Sequence, residues 1–372
     1  MIKKILILGS QRKKAQEIID FFKKHNQKYK ISALLCNDEK QQDLFKKQIQ
    51  ELQPSVIFFP NKSVAEKLEL EFNIKCYFDY SQYTLFLNNT NCDLVISDFT
   101  GIDSVKLILA SIGEYKDIGL LNLEPILYSG KIITNEAKNK GINVSFLTSQ
   151  FQSLSLLLKT NNVKDINKLI LIDYETKEDK ENIKNYTAPS KSLSEFKKIF
   201  YFQNKMWLSR HLITMSNLYD LDLDYFDFYK SNTDKINLIL QLKEGNTIFN
   251  YSENTKEPVY NYYFLENKNK TDLQINNIDI KLSKVKTEEI QTLNLAIKAL
   301  KQGGSYPILF QIVYDICAEE IYNNNLSKDS FVKIFSKILD DKTFYSKNPN
   351  IQTIFALEER LKEKIKKEIK KK

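Results

Sequence analysis

The sequence predicts an α/β protein with an N-terminal Rossmann-like, doubly wound parallel sheet, a central α+β domain and a C-terminal helical bundle. Three observations predict it. Over the first 150 of 372 residues, short apolar runs alternate with amphipathic stretches, the pattern of a parallel sheet covered by helices. From about 151 to 265, strand-like runs are interrupted by helical ones, and from Thr287 onward helical periodicity dominates.

In chain order, Lys4 to Gly9 reads as a buried strand, because Ile5 to Leu8 leave no polar face. Lys13 to His25 sets Ile18, Ile19, Phe21 and Phe22 among charges, one face of a helix. Tyr29 to Asn37 is the next strand, Gln41 to Leu52 the next helix, Pro54 to Pro60 a strand bracketed by prolines, and Lys62 to Phe72 a third helix. A loop leads to the strand Cys92 to Asp98. The helix Ile102 to Ile112, the strand Ile118 to Asn122, the helix Tyr128 to Lys140 and the strand Asn143 to Leu147 complete a domain over 1–150. In the central domain, 151–265, the strands are Lys168 to Asp173, Lys235 to Leu242 and Asn246 to Ser252, with Glu244-Gly245 as the turn between the last two. Helices are expected at Ser192 to Phe202 and Trp207 to Leu218. Residues 266–286, rich in Asn and Lys, form a connector. The helical domain, 287–372, has helices through Ala299, Pro307 to Tyr322 and Ser327 to Leu339.

Composition narrows the function. With 42% hydrophobic and 27% charged residues the chain is globular, with apolar mass for two or three domains. The formal charge of +8 is small for this length and partly gathered in the tail, so it does not call for a nucleic-acid partner. The apolar run near the start is followed by Gln11-Arg12-Lys13-Lys14, too short for a signal peptide or membrane helix. A cytoplasmic protein without a membrane partner is expected. Cys36, Cys76, Cys92 and Cys317 lack CxxC spacing and read as small buried hydrophobes. His25 lies in a Lys-rich helix end and His211 has no nucleophile motif beside it, which argues against a triad hydrolase. The final segment, Leu357 to Lys372, sets Leu357, Leu361 and Ile365 in a run of Lys and Arg. It reads as a solvated helix end, with a membrane-surface role or an RNA partner as the alternative.

The strand ending in Leu8 and feeding a helix is where a dinucleotide fold presents backbone amides to a pyrophosphate. Gly9, Ser10, Gln11 and Arg12 are the candidate cofactor-binding residues. A full fingerprint has three glycines along this loop and only Gly9 is present, although Arg12, Lys13 and Lys14 could meet phosphate as charges.

On these and further residues the chain resembles the 1-deoxy-D-xylulose 5-phosphate reductoisomerase family. The family opens with ILGSTGSIG and a helix carrying Leu-Asp; this chain has ILGSQRKKA and Ile19-Asp20 at matching spacing. The family stretch from an IVGAAG turn through ANKES to PVDSEH fits without a gap from Ser97 to Phe151, with Phe99 to Ser104, Leu121 to Pro125 and Phe146 to Phe151 as counterparts. Phe310 to Tyr322 matches the helical LNAANEIAVAAFL segment.

The resemblance implies the same three-domain order, NADPH as cofactor, Mg²⁺ or Mn²⁺, a small phosphorylated ligand, isoprenoid precursor synthesis and a homodimer. It also shows where this chain departs. The family holds its metal through three carboxylates, two in Asp-Ser-Glu and one in Asn-Lys-Gly-Leu-Glu. Here Thr148, Ser149 and Gln150 stand at the first motif and Asp224 at the last position. Neighbouring charges interact by ~4 kcal/mol at an effective dielectric of 20, so losing two carboxylates removes useful affinity for the ion. Ser149 and Asp224 are the family-matched catalytic positions, and Asp224 is the retained metal position. Of the Asn-Lys-Glu motif, Asn122 and Glu124 remain as cofactor contacts, but Leu123 replaces the lysine. At the phosphate-binding positions stand Tyr174, Met215, Asp220 and Leu221, and Trp207 matches the family's flap only loosely. The expectation is a family member whose reductoisomerase activity is lost or strongly altered. Two alternatives stay open. In one, the acids Asp220, Asp222, Asp224 and Asp227 form a cluster, with 220 and 224, like 220 and 227, on one side of a helix, that rebuilds a metal site in an active enzyme. In the other, the fold serves a structural or regulatory role.

Overall fold

Seven short strands, β1 (Lys3–Leu8), β2 (Tyr29–Leu35), β3 (Val56–Phe58), β4 (Lys75–Tyr77), β5 (Leu94–Ser97), β6 (Asp117–Leu120) and β7 (Val144–Phe146), pair in parallel in the order β4-β3-β2-β1-β5-β6-β7. This computed structural model describes residues 2–148, 154, 163–173, 193, 196–197, 200–201, 205–233, 236–251, 257–260, 264–265 and 280–370. Helices α1 (Lys13–Lys24), α2 (Gln42–Leu52), α3 (Lys62–Phe72), α4 (Tyr83–Thr90), α5 (Asp103–Gly113), α6 (Glu124–Ser129) and α7 (Ile132–Lys140) connect the strands. Ile5 to Leu8 are fully buried, as a strand covered on both faces requires. The chain leaves β1 toward β2 on one side and returns to β5 on the other, where Leu8 pairs with Leu35 and Ser97. The crevice beside the ends of β1 and β5 is therefore the switch point of the sheet.

The loop expected before Cys92 is instead folded: it holds β4, a 3₁₀ turn and α4. β4 is only three residues long at the sheet edge and buries Cys76 alone, so it offers no apolar run. α4 buries Tyr83, Phe86, Leu87 and Thr90 at helical spacing, a stripe masked by the asparagines around it. The single helix expected over Tyr128 to Lys140 is two helices, separated at Gly130, whose φ of +56° suits glycine.

By contact density the chain forms two units, one of residues 1–125, 133–152 and 256–271, the other of 126–132, 153–255 and 272–372. In the first, Tyr260 and Phe264 join the core beside α1: Tyr260 lies 5.6 Å from the Phe21 ring and Phe264 5.0 Å from that of Phe22.

The second unit holds a five-stranded sheet of β8 (Ile166–Asp173), β9 (Phe226–Ser231), β10 (Ile236–Leu242), β11 (Thr247–Tyr251) and β12 (Leu282–Lys284), in the order β11-β10-β8-β9-β12. β8 and β9 are parallel, and the β10–β11 hairpin turns at Gly245, with φ +99°, as its Glu-Gly pair predicts. Its helices are α8 (Met206–Tyr219), α9 (Gln291–Gln302), α10 (Tyr306–Tyr322), α11 (Ser330–Asp340) and α12 (Ile351–Lys370). The basic α12 buries Ile354, Leu357, Leu361 and Ile365. Arg360 and Lys364 lie over the Phe344 ring at 5.1 and 5.0 Å, and Lys364 pairs with Asp341 at 2.6 Å. Its apolar stripe is thus covered by the chain itself. All four cysteines are buried and unpaired, as their spacing predicts. Among the described residues, no helix is long and apolar enough to cross a membrane.

Candidate functional site at the sheet switch point

The turn after β1 is built by close approach. Gly9 has φ +76°, and a Cβ there would lie 3.2 Å from both the Asp98 carbonyl carbon and the Phe99 nitrogen, so two backbones meet where only glycine fits. The Gly9 and Ser10 N–H groups both donate to the Leu35 carbonyl, at 2.9 and 3.0 Å, and the Arg12 N–H donates to the Gly9 carbonyl as α1 begins. Ser10 is fully buried. Its carbonyl accepts from Gln48 Nε2 at 2.8 Å, and Gln11 Nε2 donates to Asn37 Oδ1 at 2.5 Å. Ser10 Oγ, Gln11 Oε1 and Gln48 Oε1 are buried without a hydrogen-bond partner.

The six residues singled out for cofactor binding, Gly9, Ser10, Gln11, Arg12, Asn122 and Glu124, gather at this edge around one residue the sequence reading passed over. Asp98, just beyond β5, is only 4% exposed. Arg12 Nε stands 3.8 Å from its Oδ2, and Asn122 Nδ2 donates at 3.2 Å to both its Oδ1 and the Phe99 carbonyl. Asn122 Oδ1 accepts from the Glu124 N–H at 3.0 Å, Glu124 Oε2 from the Gly101 N–H at 2.9 Å, and Arg12 Nη1 donates to Thr100 Oγ1 at 3.1 Å. Lys14 Nζ donates to the Leu121 carbonyl at 2.9 Å. Burial pushes the Asp98 carboxyl above its ordinary pKa, against the pull of the Arg12 and Lys14 charges and the Asn122 hydrogen bond. An acid at the end of the strand beside β1 was the available signal, since that place is the switch point in a doubly wound sheet.

The polar groups of this turn are largely satisfied from within. Arg12 and Lys14 are engaged by the chain's own oxygens, and a pyrophosphate at the start of α1 would meet a buried carboxylate.

The positions matched to metal and phosphate are placed as follows. Thr148 follows β7, half-buried, its Oγ1 without a partner. Ser149, Gln150 and Tyr174 lie outside the described residues, as does most of the helix expected at 192–202. Asp224 sits in a 3₁₀ turn, Leu223–Tyr225, and its carbonyl accepts from Lys168 Nζ at 2.6 Å. It lines a cavity of about 600 Å³ with Asp227 and Glu288, but also with Lys284, Lys286 and Lys301. Lysines so interleaved offset the negative field that a hard divalent cation needs. Among the described residues, no group of three His, Cys, Asp or Glu is arranged to hold a metal.

The helix-face cluster of acids is not formed. α8 stops at Tyr219, because Asp220 turns left-handed at φ +54°; Asp222 is extended, Asp224 lies in the 3₁₀ turn and Asp227 in β9. Asp220 pairs with Lys131 and Asp227 with Lys284. Met215 and Leu221, at two phosphate-binding positions, are buried at 1% and 2% exposure. Trp207 is buried on α8, with its ring 5.6 Å from that of His211, a packing role.

Residues 5–130 match the family model described as 1-deoxy-D-xylulose 5-phosphate reductoisomerase. The chain is 28% identical over 173 residues to 1-deoxy-D-xylulose 5-phosphate reductoisomerase 1 of Bacillus cereus, an alignment spanning 46% of this chain and 44% of that protein. It is 21% identical over 386 residues to the reductoisomerase of Agathobacter rectalis, spanning 96% and 97%. Among solved structures, the fold is similar to the Zymomonas mobilis reductoisomerase in complex with NADPH, with a TM-score of 0.82 at 15% identity over 99% of each chain. It is equally similar to a DOX-P reductoisomerase in complex with magnesium, with a TM-score of 0.82 at 16% identity over 100% of this chain and 99% of that one.

Proposed function

We propose that this chain is a divergent member of the 1-deoxy-D-xylulose 5-phosphate reductoisomerase family that keeps the scaffold while the NADPH-dependent rearrangement and reduction is lost or strongly altered. One observation carries the reading. Where the family resemblance calls for three metal-binding carboxylates, this chain has Thr148, Gln150 and Asp224. The formal charge offered to a divalent cation falls from three negatives to one. At ~4 kcal/mol per neighbouring charge in an effective dielectric of 20, that loss outweighs what retained hydrogen bonds return. The lysines around Asp224 weaken its field further.

The phosphate side supports the same reading, because the buried apolar groups Met215 and Leu221 offer a phosphate no donor, and Asp220 is a carboxylate already paired with Lys131. Ser149 stays the family-matched contact for a small phosphorylated ligand. The domain division 1–150, 151–265 and 287–372, a cytoplasmic location and a homodimer without nucleic-acid or membrane partner are parts of the proposal. The basic α12 is structural in it, since its apolar face is spent inside the chain.

The test is a direct assay. Purified protein is mixed with 1-deoxy-D-xylulose 5-phosphate, NADPH and either Mg²⁺ or Mn²⁺, and substrate-dependent NADPH oxidation is followed. The proposal expects the background rate; turnover like that of ordinary family enzymes contradicts it.

A further inference from the structure

The turn after β1 contains its own anion. Asp98 is 4% exposed, its carboxylate faces Arg12 at 3.8 Å and Asn122 at 3.2 Å, and its backbone lies against Gly9. In an open turn of this kind, backbone N–H groups and side-chain cations converge on a phosphate. Here the Arg12 guanidinium is shared between Asp98 and Thr100, and Lys14 is turned to the Leu121 carbonyl.

We propose that Asp98 is a built-in anion that takes the place of a pyrophosphate at this turn and is the residue that excludes a dinucleotide from it. A phosphate brought to the start of α1 would stand within a few Å of a carboxylate in a region of low dielectric, where like charges repel strongly. Of the three unpartnered buried atoms at this turn, the Ser10 hydroxyl can donate as well as accept, and the two glutamine oxygens point the same way as Asp98. The Gln48 amide is fixed by its Nε2 bond to the Ser10 carbonyl, which can only accept, so Gln48 Oε1 presents lone pairs to the buried turn. Gln11 Oε1 is also buried without a donor. Phosphate oxygens need donors, and these atoms are acceptors.

This inference deepens the proposed loss of activity but fails separately from it. NADPH binding without turnover would overturn the role of Asp98 and leave the lost reaction standing; turnover would overturn the lost reaction directly.

The experiment titrates the full-length protein, its Asp98→Asn and Asp98→Ser variants, and the double variant Arg12→Met with Asp98→Asn. The probes are NADPH and inorganic pyrophosphate, read by calorimetry, and melting curves establish that each variant is folded. Both single variants are expected to bind at least about tenfold more tightly than the parent, since the change removes one like charge from the turn. The double variant is expected to lose that gain, because Arg12 is the cation the change sets free. Two results each overturn the proposal: a folded Asp98 variant that binds no more tightly than the parent, or a gain that survives Arg12→Met. If neither Asp98 variant folds, the parent titration still decides, because NADPH binding there with a Kd below about 100 μM contradicts an anion-closed turn.

Discussion

Leu361→Ala tests whether the basic C-terminal helix is part of the fold or a free arm. Leu361 is 0% exposed on α12, between Leu357 at 4% and Ile365 at 0%, so truncation removes buried methyl groups where the surrounding helices cannot easily collapse. Such changes cost about 2–5 kcal/mol, the upper half where the cavity stays open, and about 3 kcal/mol is the central value here. The sole tryptophan, Trp207, lies in the same unit and reports its unfolding by fluorescence. With a urea slope of about 2–3 kcal/mol/M, the midpoint of that transition should fall by about 1 M. Lys366→Ala and Lys367→Ala, at exposed positions on the same helix, should each stay within about 0.5 kcal/mol of the parent. A Leu361→Ala midpoint indistinguishable from the parent's would refute the claim that α12 is packed core and would revive the partner-binding reading.

Other predictions follow from local chemistry. The Lys364 ammonium, helped by the Thr343 hydroxyl and N–H, holds the Asp341 carboxyl down to about 2. A carboxyl depressed in this way stabilises the fold above its unfolded pKa of about 3.9 and loses that contribution as pH falls toward 2. Both side chains are about a third or less exposed, at 26% and 31%, so screening limits the effect. Lys364→Met should cost about 1 kcal/mol at pH 7, and the difference from the parent in urea midpoint should shrink between pH 4 and about 2. Burial pushes the thiols of Cys36, Cys76 and Cys317 up to about 12, and raises that of Cys92. A thiolate-specific disulfide reagent at pH 8 should therefore leave the native protein unlabelled over the time in which the urea-unfolded chain reacts at all four cysteines; rapid native labelling of any one would contradict that burial.

Much of the first unit was legible because its strands are continuous apolar runs and its helices carry one apolar stripe. Ile5 to Leu8 and Lys62 to Phe72 form the elements their periodicity predicts. β4 and α4 were hidden for opposite reasons, one too short and half-exposed, the other diluted by asparagines. The acidic stretch after α8 shows a different limit. Spacing of three and four is a helical signal only while the helix lasts, and Asp220 ends it by turning left-handed. The role of Asp98 lay beyond periodicity altogether, because it depends on residues 12, 98 and 122 meeting at the ends of separate βα units. The residue types at Thr148, Gln150 and Leu123 were legible directly, and the proposed loss of activity rests on matching them to the acids and lysine that the family resemblance implies.

The central claim, that an inherited scaffold no longer grips a divalent cation, is tested most directly by Mn²⁺ titration of the full-length protein, with free ion followed by electron paramagnetic resonance. The account predicts that the free-ion signal rises with added Mn²⁺ as it does in buffer alone, and that Asp224→Asn changes nothing. One equivalent of Mn²⁺ taken up per chain, and released by Asp224→Asn, would contradict it.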